Sequence, residues 1–223
     1  KINFNPIVSG WLLIRKNLAQ SGIATLIVLI SIFWFMGSTY FTLIPLYGKE
    51  ILGATAYNVS FLTIALAIGV AIGSLLCEKI SRGKIDLGLV SIAVIMIIIV
   101  SAEIFFLGDN KGANPECTFL DLFSIQCFNR FFIDMIILGT AGALYVIPLY
   151  ATLQARIERA HRARTMAALN IMNALFMVIS SLFTLFLFRY DIATHSIFGL
   201  VGILNFFATS IALFFIPEIL WWC

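Results

Sequence analysis

Six apolar stretches, each about 20 residues long and separated by polar breaks, the longest between the third and the fourth, decide what this sequence can fold into. They run approximately Ile23–Pro45, Tyr57–Cys77, Leu87–Leu107, Phe131–Leu153, Thr165–Phe188 and Ile197–Ile216. At a rise of about 1.5 Å per residue, each reaches across a hydrocarbon core of roughly 30 Å. A chain inside lipid must satisfy its backbone polar groups within itself, so the stretches are expected to be helices. A β-barrel would need short strands of alternating hydrophobicity, and the sequence has none. Composition agrees: 61% of residues are hydrophobic and 11% charged, where a soluble domain is about half apolar and a quarter charged. The expected fold is an all-α membrane protein, with a lead-in over 1–22, a six-helix domain over 23–217 and a tail over 218–223.

Charge sets the orientation. The stretch from Tyr145 to Phe176 is two apolar segments joined by a loop holding Arg156, Arg159, Arg162 and Arg164. Six spans bring both termini to one side. That side holds ten of the 14 Lys and Arg residues: Lys1, Arg15, Lys16, Lys79, Arg82, Lys84 and the four loop arginines. The other side holds Lys49, Lys111, Arg130 and Arg189. Basic residues gather in cytoplasmic loops, so both termini are expected in the cytoplasm. The net charge of +3 is thus a matter of orientation and not of nucleic-acid binding. Trp11 and its apolar neighbours read either as a short interfacial helix or as a linker with Trp at the headgroup level. The chain opens on Lys1 and is expected to be part of a longer protein. Cys117 and Cys127 fall on the outer side, as a disulfide or as two free thiols. Cys77 and Cys223 fall inside. Neither the cysteines nor His161 and His195 have metal-site spacing, so no metal or other cofactor is expected.

Candidate functional residues are polar groups within the spans. Arg130 and Asp134 are four apart at the outer end of span four, where they can pair, and Glu103 is one turn from the outer end of span three. Each is either a functional charge or one that snorkels to the interface. At about 100° per residue, Asp134, Ala141, Tyr145, Pro148 and Thr152 share one stripe. Span five repeats this with Asn170, Asn173, Met177, Ser181 and Thr184, and span one with Ser31, Ser38, Thr42 and Pro45. Such stripes line a cavity or mediate close helix packing. Pro148 should kink span four. Gly69-x-x-x-Gly73 allows a close helix crossing.

The loop after span two reads Gly73-Ser-Leu-Leu-Cys-Glu78-Lys79-Ile-Ser-Arg82-Gly83-Lys84. It resembles the major facilitator superfamily loop G-x-x-x-D-R/K-x-G-R/K, in the degenerate copy between spans eight and nine. It departs in placing the acid at Glu78 and inserting a residue before Gly83. Ile32-Phe-Trp34-Phe-Met-Gly37, Asp86-Leu-Gly88-Leu-Val90, Tyr145-Val-Ile-Pro148-Leu-Tyr150-Ala-x-Leu-Gln154 and Arg162-Ala-Arg164-x-x-Ala-Ala-x-Asn170 extend the likeness. Together they resemble the lysophospholipid transporter-like permeases, some of which are fused ahead of a glycerophospholipid acyltransferase and acyl-carrier-protein synthetase.

That resemblance implies spans seven to twelve, one half of a twelve-helix bundle, in a bacterial inner membrane. The implied function is inward transport of lysophospholipid for reacylation, by rocking against a missing six-helix half. The implied pathway residues are Asp134, Arg130, Tyr145, Pro148, Ser38, Thr42, Asn170 and Asn173. The implied cytoplasmic gate is Glu78, Lys79, Arg82, Lys84, Arg162 and Arg164. The basic loop either attracts anionic headgroups or serves orientation alone. Rival readings are a proton-coupled exporter of small amphiphiles and a membrane anchor for a fused acyltransferase. The sequence has no H-x-x-x-x-D, Gly-rich phosphate loop or G-x-S-x-G elbow, so no catalysis is expected from this segment.

Overall fold

The computed structural model describes residues 21–54, 56–82, 86–108 and 126–214. They form six helices: α1 Ser21–Glu50, α2 Ala56–Ser81, α3 Gly88–Leu107, α4 Gln126–Arg156, α5 Arg162–Arg189 and α6 Thr194–Phe214. All six are long and apolar enough to cross a membrane, and the chain is a multi-pass membrane protein. The lead-in with Trp11, the loop residue Lys84, the Cys117–Cys127 pair and the tail lie outside the described residues.

Two helices exceed their apolar stretches the most. α1 runs through Pro45 to Glu50, and α4 starts at Gln126 and ends at Arg156. The stretches stop where hydropathy falls, at the edge of the hydrocarbon. Backbone hydrogen bonding continues beyond it. The 30 and 31 residues of these helices make about 45 Å, the thickness of a bilayer with its headgroup layers.

Successive helices run antiparallel. At one end, the start of α1 meets the end of α4, where a Cβ on Gly22 would lie 3.2 Å from an Arg156 guanidinium nitrogen. This is the basic end. At the opposite end, Arg130 of α4 pairs with Glu103 of α3, and Thr194 of α6 donates to Glu50 Oε2 of α1 at 2.7 Å. The connections α1–α2, α2–α3, α4–α5 and α5–α6 are short. Asp86 Oδ1 accepts the Gly88 amide at 2.8 Å and starts α3. Arg162 donates to the Gln154 carbonyl at 3.0 Å, placing a cation on the C-terminal end of α4.

α1 and α4 are the central helices. α4 packs on α1, α2 and α3, and α6 closes a ring by packing on α1 and α3. α2 flanks this ring against α4, and α5 flanks it against α1. Inside the ring Tyr47 stacks on Phe131 at 4.3 Å, and Tyr40 stacks on Phe198 at 5.4 Å.

The two flanking helices are held differently. α2 and α4 touch backbone to backbone: a Cβ on Gly69, Gly73 or Gly139 would collide with the carbonyl oxygen of Ile136, Thr140 or Leu66 respectively. Thr140 Oγ1 donates across this crossing to the Gly69 carbonyl at 3.1 Å. Gly69-x-x-x-Gly73 is therefore the contact face of α2. α5 meets α1 through polar pairs instead. Ser31 Oγ donates to Asn173 Oδ1 at 3.0 Å, and the Thr39 and Ser180 hydroxyls are 2.8 Å apart.

Candidate functional site

A cavity of about 460 Å3 opens between the two flanking helices. α1 contributes Phe33, Trp34, Gly37, Ser38, Phe41 and Thr42, and α4 contributes Leu138, Gly139, Gly142 and Val146. Leu66 and Val70 of α2 form one wall, and Met177 of α5 stands on the other. All these residues lie near the middle of their helices, so the cavity sits at mid-height in the bundle. Ligand sites of transporters are expected at that depth.

Glycine makes the space. No atom outside the local helix lies within 4 Å of a Cβ built on Gly37, and at Gly142 the nearest is a Phe33 ring carbon at 3.4 Å. The lining holds no acidic or basic side chain. Its polar groups are the Ser38, Tyr40 and Thr42 hydroxyls and the Trp34 indole N–H; the Tyr40 hydroxyl is paired with that of Ser101 at 2.9 Å. All three hydroxyls sit on α1; Thr42 satisfies itself on the Ser38 carbonyl at 3.0 Å. Such a lining offers little to a charged solute and much to an alkyl chain.

A polar network borders the cavity on its basic side. Trp34 Nε1 donates to the Tyr150 hydroxyl oxygen at 3.2 Å. Asn173 Nδ2 donates to the same oxygen at 3.3 Å. Ser31 completes the chain on Asn173 Oδ1. Three helices, α1, α4 and α5, are joined here.

The residues singled out from sequence are scattered among several roles. Ser38 and Thr42 line the cavity. Asn173 is buried in the bordering network, whereas Asn170 is exposed on α5 away from the lining. Tyr145 is fully buried; its hydroxyl is 3.0 Å from that of Thr209, which in turn donates to Asn205 Oδ1. Pro148 is buried too, and its carbonyl accepts the Thr152 hydroxyl at 2.7 Å. The stripe of α4 that contains Asp134, Tyr145 and Pro148 therefore faces the interior of the bundle. The face of α4 that borders the cavity is the small apolar one, Gly139, Gly142 and Val146.

The expected pairing of Arg130 with Asp134 is corrected. Arg130 Nη2 and Nε both reach Glu103 Oε1, at 2.7 and 3.1 Å. The partner across the α3–α4 contact wins because both groups are partly exposed and can meet in an extended geometry. Asp134 is 2% exposed, and its Oδ2 has no hydrogen-bond partner. Neither residue borders the cavity.

At the basic end Glu78, Lys79, Arg82 and Arg164 are exposed. Arg82 takes a left-handed backbone conformation, φ 46°, and its amide closes α2 on the Glu78 carbonyl at 3.1 Å. Arg162 is a helix cap, as described above.

Phe33, Phe41, Leu138, Gly142 and Val146 are not among the residues that the sequence marks as candidates, whereas Met177 lies on the stripe of span five. Polar residues drew attention, while this lining is apolar. Its one legible signal was the run of small residues at three- and four-residue spacing on α4. Comparison with family models, with curated proteins and with solved structures finds no match to this chain.

Proposed function

We propose that this chain is one six-helix half of a major facilitator-type permease that carries lysophospholipid inward across a bacterial inner membrane, both termini being cytoplasmic. The observation that carries the reading is the mid-height cavity. Its volume of about 460 Å3 falls in the range of small-molecule sites, about 300–1,000 Å3. At roughly 30 Å3 for a water-sized group, it holds a chain on the order of fifteen methylenes. One acyl chain fits.

The apolar lining also weighs between the readings. A proton-coupled exporter calls for a carboxylate on the path, and this lining has none. The resemblance in the α2–α3 loop and along α4 supplies the permease class and the lysophospholipid. Rocking against a second six-helix unit would open the cavity alternately to each side.

The test is uptake of labelled lysophosphatidylethanolamine into spheroplasts, comparing the whole protein with Gly37→Leu. Leucine at that position would extend into the open cavity without displacing a neighbour. Protein-dependent uptake that falls at least tenfold in the variant supports the reading. Protein-dependent uptake equal in both moves the pathway elsewhere. No protein-dependent uptake, with the protein correctly inserted, rejects lysophospholipid as cargo.

A further inference from the structure

We infer that the bound amphiphile has a fixed polarity: its chain fills the cavity and its headgroup lies toward the basic end, where the Tyr150 hydroxyl donates a hydrogen bond to a phosphate or ester oxygen. This rests on the reading of the cavity as an amphiphile site, and adds to it a direction and a recognising group.

The argument begins with the hydrogen count on Tyr150. A phenol has one hydrogen to donate and a lone-pair oxygen that accepts. Indole N–H can only donate, so Trp34 takes an acceptor position on that oxygen. The Asn173 amide takes another. Asn173 presents its amide nitrogen to Tyr150 while its own oxygen accepts from Ser31. Both contacts use the oxygen and neither uses the hydrogen. The Tyr150 hydrogen is thus an uncommitted donor, made stronger by two bonds polarising the same group.

Position supplies the direction. Tyr150 is six residues before Arg156, about 9 Å from the basic end of α4 by helical rise. The lining residues of α4, Leu138 to Val146, all lie farther from that end. Trp34 belongs to both features: it lines the cavity and donates to Tyr150. The apolar volume is therefore on one side of the network and the exposed arginines, Arg156, Arg159, Arg162 and Arg164, are on the other. The opposite end of the cavity, around Phe41, offers the Thr42 and Tyr40 hydroxyls, already bonded to the Ser38 carbonyl and to Ser101. A headgroup with acceptor oxygens and negative charge is matched better at the basic side, where four exposed arginines gather, than at the opposite end, where Arg130 is paired with Glu103 and Lys49 and Arg189 remain.

Trp34 is a ready reporter. In the whole protein, with Trp11, Trp221, Trp222 and every tryptophan outside this segment replaced by Phe, its fluorescence is followed in nanodiscs of unbrominated lipid. The probes are two lysophosphatidylethanolamines, one brominated near the ester and one at the chain terminus. The expected result is saturable quenching that is stronger for the ester-proximal bromines. Tyr150→Phe is expected to raise the half-saturating mole fraction about five- to tenfold, the loss of one hydrogen bond to a polar or charged acceptor. Saturable quenching that is stronger for the chain-terminal bromines overturns the polarity while leaving the amphiphile site standing. Unchanged affinity in a folded Tyr150→Phe protein overturns the assignment of the donor. Quenching that rises linearly with both probes, as for bulk lipid, removes the site and the inference together.

Discussion

Gly37 and Gly69 lack the same atom and answer to opposite needs. Gly37 borders open space, whereas a Cβ on Gly69 would strike the α4 backbone. Gly37→Ala should raise stability by about 0.5–1 kcal/mol, since alanine loses less backbone entropy in a helix. Gly69→Ala should lower it by about 1–3 kcal/mol through overpacking. Reversible unfolding in detergent micelles would show the opposite signs; equal signs would mean that the two helix faces have been misassigned. The Glu103–Arg130 pair is partly exposed, with side-chain exposures of 34% and 51%, so Glu103→Gln should cost less than about 1 kcal/mol in the same measurement. Spacing on one helix identified Arg130 and Asp134 as neighbours, but it is blind to a partner on another helix. Glu103 is 27 residues from Arg130 in sequence, and only the α3–α4 contact brings them together.

At the scale of the helix, sequence periodicity draws stripes and cannot say what they face. The polar stripe on α5 divides: Asn173 and Thr184 are buried, while Asn170 and Ser181 are exposed. Ser180, one position away from the stripe, makes the contact with Thr39. A helix face is about 100° per residue wide, so a shift of one residue decides between packing and exposure, and the neighbouring helix makes the choice. The α1–α5 contact is predicted to depend on these hydroxyls. A double-mutant cycle of Thr39→Val and Ser180→Ala should give a coupling energy of about 0.6 kcal/mol, the average for hydrogen bonds between membrane helices. A coupling of zero would leave that contact to van der Waals packing alone. That α2 allows a close crossing was legible from glycines four apart; that α4 is the partner was not. Nor was the cavity, because apolar lining and lipid-facing surface have the same composition.

For the whole molecule, number and alternation of helices were legible, since bilayer thickness fixes a span length and leaves six stretches no other use. Their arrangement was not. The ring of α1, α4, α3 and α6 with α2 and α5 outside it depends on side-chain fit that periodicity does not encode. Orientation rests on ten basic residues against four. Replacing Arg156, Arg159, Arg162 and Arg164 by Gln leaves six against four and should yield a mixed population of orientations, read by labelling a cysteine introduced at Ser81 from each side. A single unchanged orientation would assign those arginines to another task. The central claim, that the space between α1 and α4 receives one acyl chain, is tested most directly by thermal unfolding of the wild-type protein and of Gly37→Leu with increasing lysophosphatidylethanolamine. Ligand that binds only the folded state raises the melting temperature in proportion to the logarithm of its concentration above Kd. The account predicts a saturably occupied site with that rise in the wild type and a melting temperature that lysophospholipid leaves unmoved in Gly37→Leu. Equal rises in the two proteins would contradict it.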